Sequence, residues 1–158
     1  MNLTPQSLQV GYRFGQSIFS ELAPVTYLLD TSAISALMRA ESPMASWLSS
    51  VGPDDRVIIC AIVRGEILYG IERLTPGRRR TELEGRAWKL FAILPCEAIP
   101  AAAADRYATL KASQQRRGLP LDENDLWIAA MALALNATLV SSSDSDFQSI
   151  EGLPVVRP

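Results

Sequence analysis

From Thr26 onward, short apolar runs alternate with longer stretches whose apolar residues recur every three or four positions. The first run, Tyr27-Leu28-Leu29, stops on Asp30, and Ala33, Ile34, Leu37 and Met38 then fall at helical spacing. This predicts a strand over about 26–29 and a helix ending near Arg39. Pro43 suits the first turn of a short helix, "PMASWLSS". Gly52-Pro53-Asp54-Asp55 reads as a turn and "RVIICAIV" as a β-branched strand, with Ile67, Leu68 and Ile71 marking a helical face from about Val63. Thr75-Pro76-Gly77 breaks that helix. A longer amphipathic helix follows, with Leu83, Trp88, Leu90, Phe91 and Leu94 on its expected buried side.

"CEAIP" reads as a short strand ended by Pro100, and "AAAADRYATLKASQQRR" as a strong helix former stopped by Gly118. "LDENDLWIAAMALALN" is apolar nearly all round, so its helix should be deeply buried. "ATLVSS" is another short buried strand, and "LPVVRP" adds an edge strand. Strands alternating with helices in this way predict a three-layer α/β/α domain around a mostly parallel sheet, over residues 26–158. Residues 1–25 are polar and weakly patterned, and read as an extension of unknown role.

Composition narrows the chemistry. The chain has 158 residues, 48% hydrophobic and 20% charged, as expected of one globular domain. No run approaches the roughly 20 apolar residues of a membrane span, and the amino terminus lacks the pattern of a signal peptide. Cys60 and Cys96 lie in apolar runs without paired spacing, and read as reduced core residues of a cytoplasmic protein. There is no histidine, which removes Ser-His-Asp and Cys-His catalysis and every His-containing metal site. Polar chemistry must therefore rest mainly on carboxylates. The net charge of −2 does not suggest a nucleic-acid binder, although Arg78-Arg79-Arg80 and Arg116-Arg117 are basic clusters that also suit a solvated helix face.

Four acidic positions stand at the strand-to-helix or helix-entry edges of four different elements: Asp30, Glu66 in "VRGEILYG", Asp125 in "LPLDENDLWIAA", and Asp144 or Asp146 in "TLVSSSDSDF". In a parallel sheet those edges face one side, where open α/β folds bind ligands. Each has a structural alternative. Asp30 and Asp122 suit helix N-caps, Glu66 and Asp125 suit first turns, and the last two suit local turns. As a set they point further. Carboxylates about 4 Å apart repel by roughly 4 kcal/mol per pair at an effective dielectric near 20, so a cluster requires protons, basic partners or metal ions. Oxygen-only ligands select hard cations such as Mg²⁺ or Mn²⁺, which suit metal-assisted phosphodiester hydrolysis.

"YLLDTSAIS", "VRGEILYGIERL", "LPLDENDLWIAAMALALNATLVSSSDSDF" and "IEGLPVV", in that order and spacing, resemble the PIN-domain ribonucleases, and more closely the VapC-type toxins of bacterial toxin–antitoxin pairs. The resemblance implies an RNA-cutting hydrolase in which Asp30, Glu66 and Asp125 match the first three acidic positions. Asp30, Asp125 and Asp144 would then hold Mg²⁺ or Mn²⁺. Thr31 matches the small hydroxyl residue that orients the first aspartate or contacts a metal-bound water. Ser143 stands where the family has Asn or Asp, so Asp144 takes that role, with Asp146 as the other choice. The resemblance also implies a homodimer and a small antitoxin partner whose tail covers the acidic groove. Arg64 and Arg116 are candidates for RNA phosphate contact or, equally, for surface ion pairing.

Three alternatives remain open on these residues. A housekeeping RNA-processing nuclease would share every motif; an antitoxin frame directly upstream separates it from a toxin. A catalytically degenerate RNA- or protein-binding domain would not need matched carboxylates. An aspartyl-phosphate enzyme would use Asp30 as nucleophile, but the position two residues on, where an acid is needed, is Ser32.

Overall fold

A computed structural model describes residues 23–143 and 146–158. Among the described residues, five strands form one parallel sheet in the order β3-β2-β1-β4-β5. They are β1 (Thr26–Leu29), β2 (Arg56–Cys60), β3 (Cys96–Glu97), β4 (Thr138–Val140) and β5 (Val155–Val156). Helices α1 (Thr31–Met38) and α2 (Ser42–Ser50) join β1 to β2, and α3 (Ala61–Glu72) and α4 (Arg78–Ile93) join β2 to β3. Helices α5 (Ala101–Arg117) and α6 (Glu123–Ala134) return the chain across the sheet to β4. Contacts group α1 to α4 together and pair α5 with α6, giving the expected α/β/α layering.

The strand order follows from the crossovers. The chain steps from β1 outward to β3 and then returns to lay β4 on the other side of β1. The direction of winding therefore reverses between β1 and β4, and a crevice opens beyond their carboxyl ends. Leu28, Leu29, Ile58, Ile59, Leu139 and Val140, from the three inner strands, are buried to 1% exposure or less. A strand covered on both faces reads as a continuous apolar run, which is why no polar alternation shows in these segments.

Element boundaries agree with the sequence reading except at junctions. Helix α3 begins at Ala61, directly after β2, so the run "RVIICAIV" contributes only Arg56–Cys60 as strand. Ile62 and Val63 are helical despite their β-branching, a boundary that a short apolar run does not reveal because it has no period separating strand from buried helix. Trp88 and Cys96 are exposed rather than buried, Trp88 at 53%. Leu94 is buried and Leu83, Leu90 and Phe91 are half-buried against the core beside the buried Ala87, so the expected face of α4 holds except at Trp88. Gly118 ends α5 in the left-handed conformation (φ 67°), and Asn136 (φ 49°) follows α6. No helix among the described residues is long and apolar enough to cross a membrane.

Candidate active site

Asp30 leaves the carboxyl end of β1 and caps α1. Its Oδ1 accepts from the Ala33 amide (2.7 Å) and from the Ser32 hydroxyl (2.7 Å). The residue is only 4% exposed. Burial pushes its carboxyl up from the ordinary value, opposed by hydrogen bonds from Ser141, Ala33 and Ser32. One Asp30 oxygen serves the helix cap, and the side chain also lines the crevice.

Ser32 joins the two halves of the sheet at the point where winding reverses. Its hydroxyl accepts from the Ser142 amide (2.9 Å) and lies 3.1 Å from the Ser141 hydroxyl, while the Asp30 amide donates to the Val140 carbonyl (3.0 Å). The end of β4 is thereby tied to the start of α1.

Glu66 sits in the second turn of α3, not the first, because that helix starts at Ala61. Its two oxygens are held from two sides. Thr31 Oγ1 donates to Oε2, and Asn124 Nδ2 donates to Oε1 (2.8 Å). Thr31 therefore orients Glu66; the hydroxyl that orients Asp30 belongs to Ser32. Asp122 is the N-cap of α6, accepting from the Asn124 amide (2.9 Å), and Asp125 falls in that helix's first turn.

These side chains line one open cavity of about 490 Å³, to which Asp30, Glu66, Asp122, Asp125 and Ser143 all contribute. Asp144 lies outside the described residues, as does the side chain of Asp146, whose backbone opens a 3₁₀ turn, Asp146–Ser149. Phe147 of that turn forms part of the cavity wall.

Arg64 and Arg116 do not line this cavity. The Arg64 guanidinium lies over Trp88 and Phe91, 5.0 and 4.5 Å from the ring centroids, where cation–π attraction holds it on the other face of α3. Sequence reasoning missed Asn124, Ser32 and Ser141. A signal existed for Asn124, a polar side chain beside Asp125 in a first helical turn. Ser141 and Ser32 lie 109 positions apart and meet only through the strand order.

The donor set is composed of oxygen atoms from carboxylates, hydroxyls and an amide, a chemistry that suits a hard divalent cation. Among the described residues, no three acidic or cysteine side chains stand close enough to enclose an ion by themselves.

A parallel α/β domain with an acidic cavity at the reversal of its strand order defines the class. Residues 27–153 match the PIN domain, and the chain belongs to that family. It is 33% identical over 133 residues to ribonuclease VapC1 of Haemophilus influenzae strain R2866, covering 80% of this chain and 93% of that protein. Its fold is similar to that in the VapBC-1 structure from nontypeable Haemophilus influenzae, with TM-score 0.75, 26% identity, and 84% and 98% of the two chains covered. The VapBC2 structure from Rickettsia felis, bound to a DNA fragment from the promoter, shares the fold at TM-score 0.78 and 23% identity, over 85% of this chain and 99% of that one.

Proposed function

We propose that this chain is a metal-dependent endoribonuclease acting as the toxin of a toxin–antitoxin pair, with residues 26–158 as the nuclease unit and 1–25 an extension. The observation that carries the reading is the meeting of Asp30, Glu66 and Asp125, 95 positions apart from first to last, on one cavity at the switch point. Its relatives named as VapC ribonucleases support it, as does the similarity to the VapBC-1 structure. A small antitoxin and a second copy of this chain are the partners this reading implies, and RNA is the substrate.

In this reading Asp30 and Asp125 hold Mg²⁺ or Mn²⁺, with Asp144 as a further ligand. The bound cation would supply water activation and charge neutralisation at the scissile phosphate. The chain's own residues do the positioning. Ser32 and the Ala33 amide fix one Asp30 oxygen, so the other is aimed by a rigid helix start. Thr31 and Asn124 hold the two oxygens of Glu66 from opposite sides of the cavity wall. A group held in this way needs no reorganisation when charge develops on the substrate.

The test is cleavage of a mixed RNA pool by purified, antitoxin-free protein with Mg²⁺ or Mn²⁺, with chelator, and with Asp30→Asn. Discrete cuts that require both metal and Asp30 are the expected result. A folded protein that neither cleaves nor binds metal would shift the reading to a non-catalytic PIN domain.

A further inference from the structure

Two further recesses continue from the acidic cavity. The first, about 350 Å³, shares Thr31, Ser35 and Glu66 with the cavity and adds Arg79 and Arg39, the latter paired with Glu41 (2.6 Å). The second shares Met38 and Arg39 with the first and adds Arg86 and Lys89. Three adjoining recesses therefore lead away from the carboxylates between α1, α3 and α4 as a groove, acidic at Glu66 and carrying Arg79, Arg86 and Lys89 further along. On the opposite side the cavity is bounded by Asp122, Asn124, Asp125 and Ser143, which offer a polyanion no cation.

The arginine triplet at the start of α4 is not uniform. Arg78 pairs with Glu82 (2.6 Å), and Arg80 pairs with Glu72 (2.6 Å) and Glu84 (2.9 Å). Arg79 between them has no carboxylate partner among the described residues, and it is the member of the triplet that lines the groove. Arg86 is braced on the groove wall by a bond to the Met38 carbonyl (2.9 Å), and Lys89 has no acidic partner among the described residues. The floor between these cations includes Met38, Ile67, Ile71 and Leu83.

We propose that this groove is the path of the RNA strand on one side of the scissile phosphate, with Arg79 and Lys89 as phosphate anchors. The inference rests on the nuclease reading above and adds a direction to it. A phosphodiester entering a carboxylate cluster is repelled by it, so the flanking phosphates must be held by nearby cations, and the groove side supplies them. Cations along the rim with apolar surface beneath match single-stranded nucleic acid, whose bases have apolar faces and whose backbone is charged. A paired duplex keeps its base faces stacked inside and has none to lay on this floor.

The experiment compares wild type with Arg79→Gln, Lys89→Gln and, as control, Arg78→Gln. Binding of a fluorescein-labelled mixed-sequence single-stranded RNA is followed in chelator across a salt series, and cleavage kinetics are measured with Mg²⁺. Arg79→Gln and Lys89→Gln should each raise KM several-fold with kcat little changed, and should each lower the slope of log affinity against log salt by about 0.7. Arg78→Gln should match wild type in both. Wild-type cleavage with all three variants alike would overturn the groove assignment and leave the nuclease reading standing. Unchanged RNA binding together with weaker capture of an amphipathic peptide carrying acidic residues on one face would mark the groove as a protein-docking surface, and would equally overturn it. A wild type that shows no metal-dependent cleavage removes the nuclease reading itself, and the assignment falls with it.

Discussion

Asp30 carries two duties that pull its protonation in opposite directions. As a helix cap it accepts two hydrogen bonds at Oδ1, which favour the charged form, yet burial outweighs them and raises its pKa. An acid whose folded-state pKa is raised stabilises the fold below its unfolded value, and that contribution is lost as pH rises through the folded value. In chelator, the wild type should therefore lose stability relative to Asp30→Asn as pH climbs above the ordinary aspartate range, and the two should converge in acid. Asn retains a capping oxygen, whereas Asp30→Ala should cost about 1 kcal/mol through loss of the cap. Urea melts of the three proteins at several pH values check both statements. A wild type more stable than Asp30→Asn at neutral pH, in chelator, would mean that the carboxylate is held by a favourable interaction stronger than its burial. The clamp on Glu66 makes a separate prediction. Thr31→Val or Asn124→Ala should each lower kcat about tenfold, equivalent to about 1.4 kcal/mol, with KM little changed, as steady-state cleavage would show. The hydroxyl and the amide touch the carboxylate, and neither adds charge for the substrate to recognise.

At the level of elements, two helices carry glycine where nothing requires it. A Cβ built on Gly65 of α3 or Gly85 of α4 meets no atom within 4 Å, and neither residue has positive φ. Gly65→Ala and Gly85→Ala should each raise stability by roughly 0.5–1 kcal/mol, read as a higher urea midpoint with an unchanged slope. The carboxyl end of α5 does more than terminate a helix. Gln114, 2% exposed, donates to the Ser149 hydroxyl (2.8 Å), and Arg117 donates to the Ser149 carbonyl (2.7 Å). Together they hold the 3₁₀ turn whose Phe147 walls the acidic cavity. The elements themselves were legible in the chain because their apolar periods are long and their stops are explicit: Gly118 after α5, Asp122 before α6, Pro43 in α2. Junctions were less so. The passage from β2 to α3 uses no turn residue, so one apolar run hides both the strand end and the helix start, and Glu66 moves a turn deeper than expected. On α4 a single residue misled, for another reason. Trp88 packs against Phe91 and the Arg64 guanidinium at the surface, and an aromatic recruited by a cation reads the same in sequence as one recruited by the core.

For the whole molecule, the meeting of Asp30, Glu66 and Asp125 on one cavity was legible because each stands near a predicted element edge, and a parallel sheet sends those edges to one side. What the chain could not disclose was the support between them. Ser32 meets Ser141 only once β4 is laid against β1, Thr31 meets Glu66 through the pairing of β1 with β2, and Asn124 meets Glu66 through the packing of α6 on α3. Burial of the Asp30 carboxyl at the crevice costs the metal-free protein stability at neutral pH. A cation that binds the folded site and not the unfolded chain must then return stability by mass action. At a free Mg²⁺ or Mn²⁺ concentration one hundred times its dissociation constant, the gain is about 2.7 kcal/mol, which for a chain of this size is a rise of about 5–10 °C in Tm. The rise should disappear in chelator and be strongly reduced in Asp30→Asn and Asp125→Asn, while Arg79→Gln retains it, since the groove cation lies outside the proposed ligand set. Thermal melts across a metal titration measure this without any RNA present. A wild type whose Tm does not respond to either metal, in a protein that still cuts RNA, would show that the carboxylates act without a resident cation.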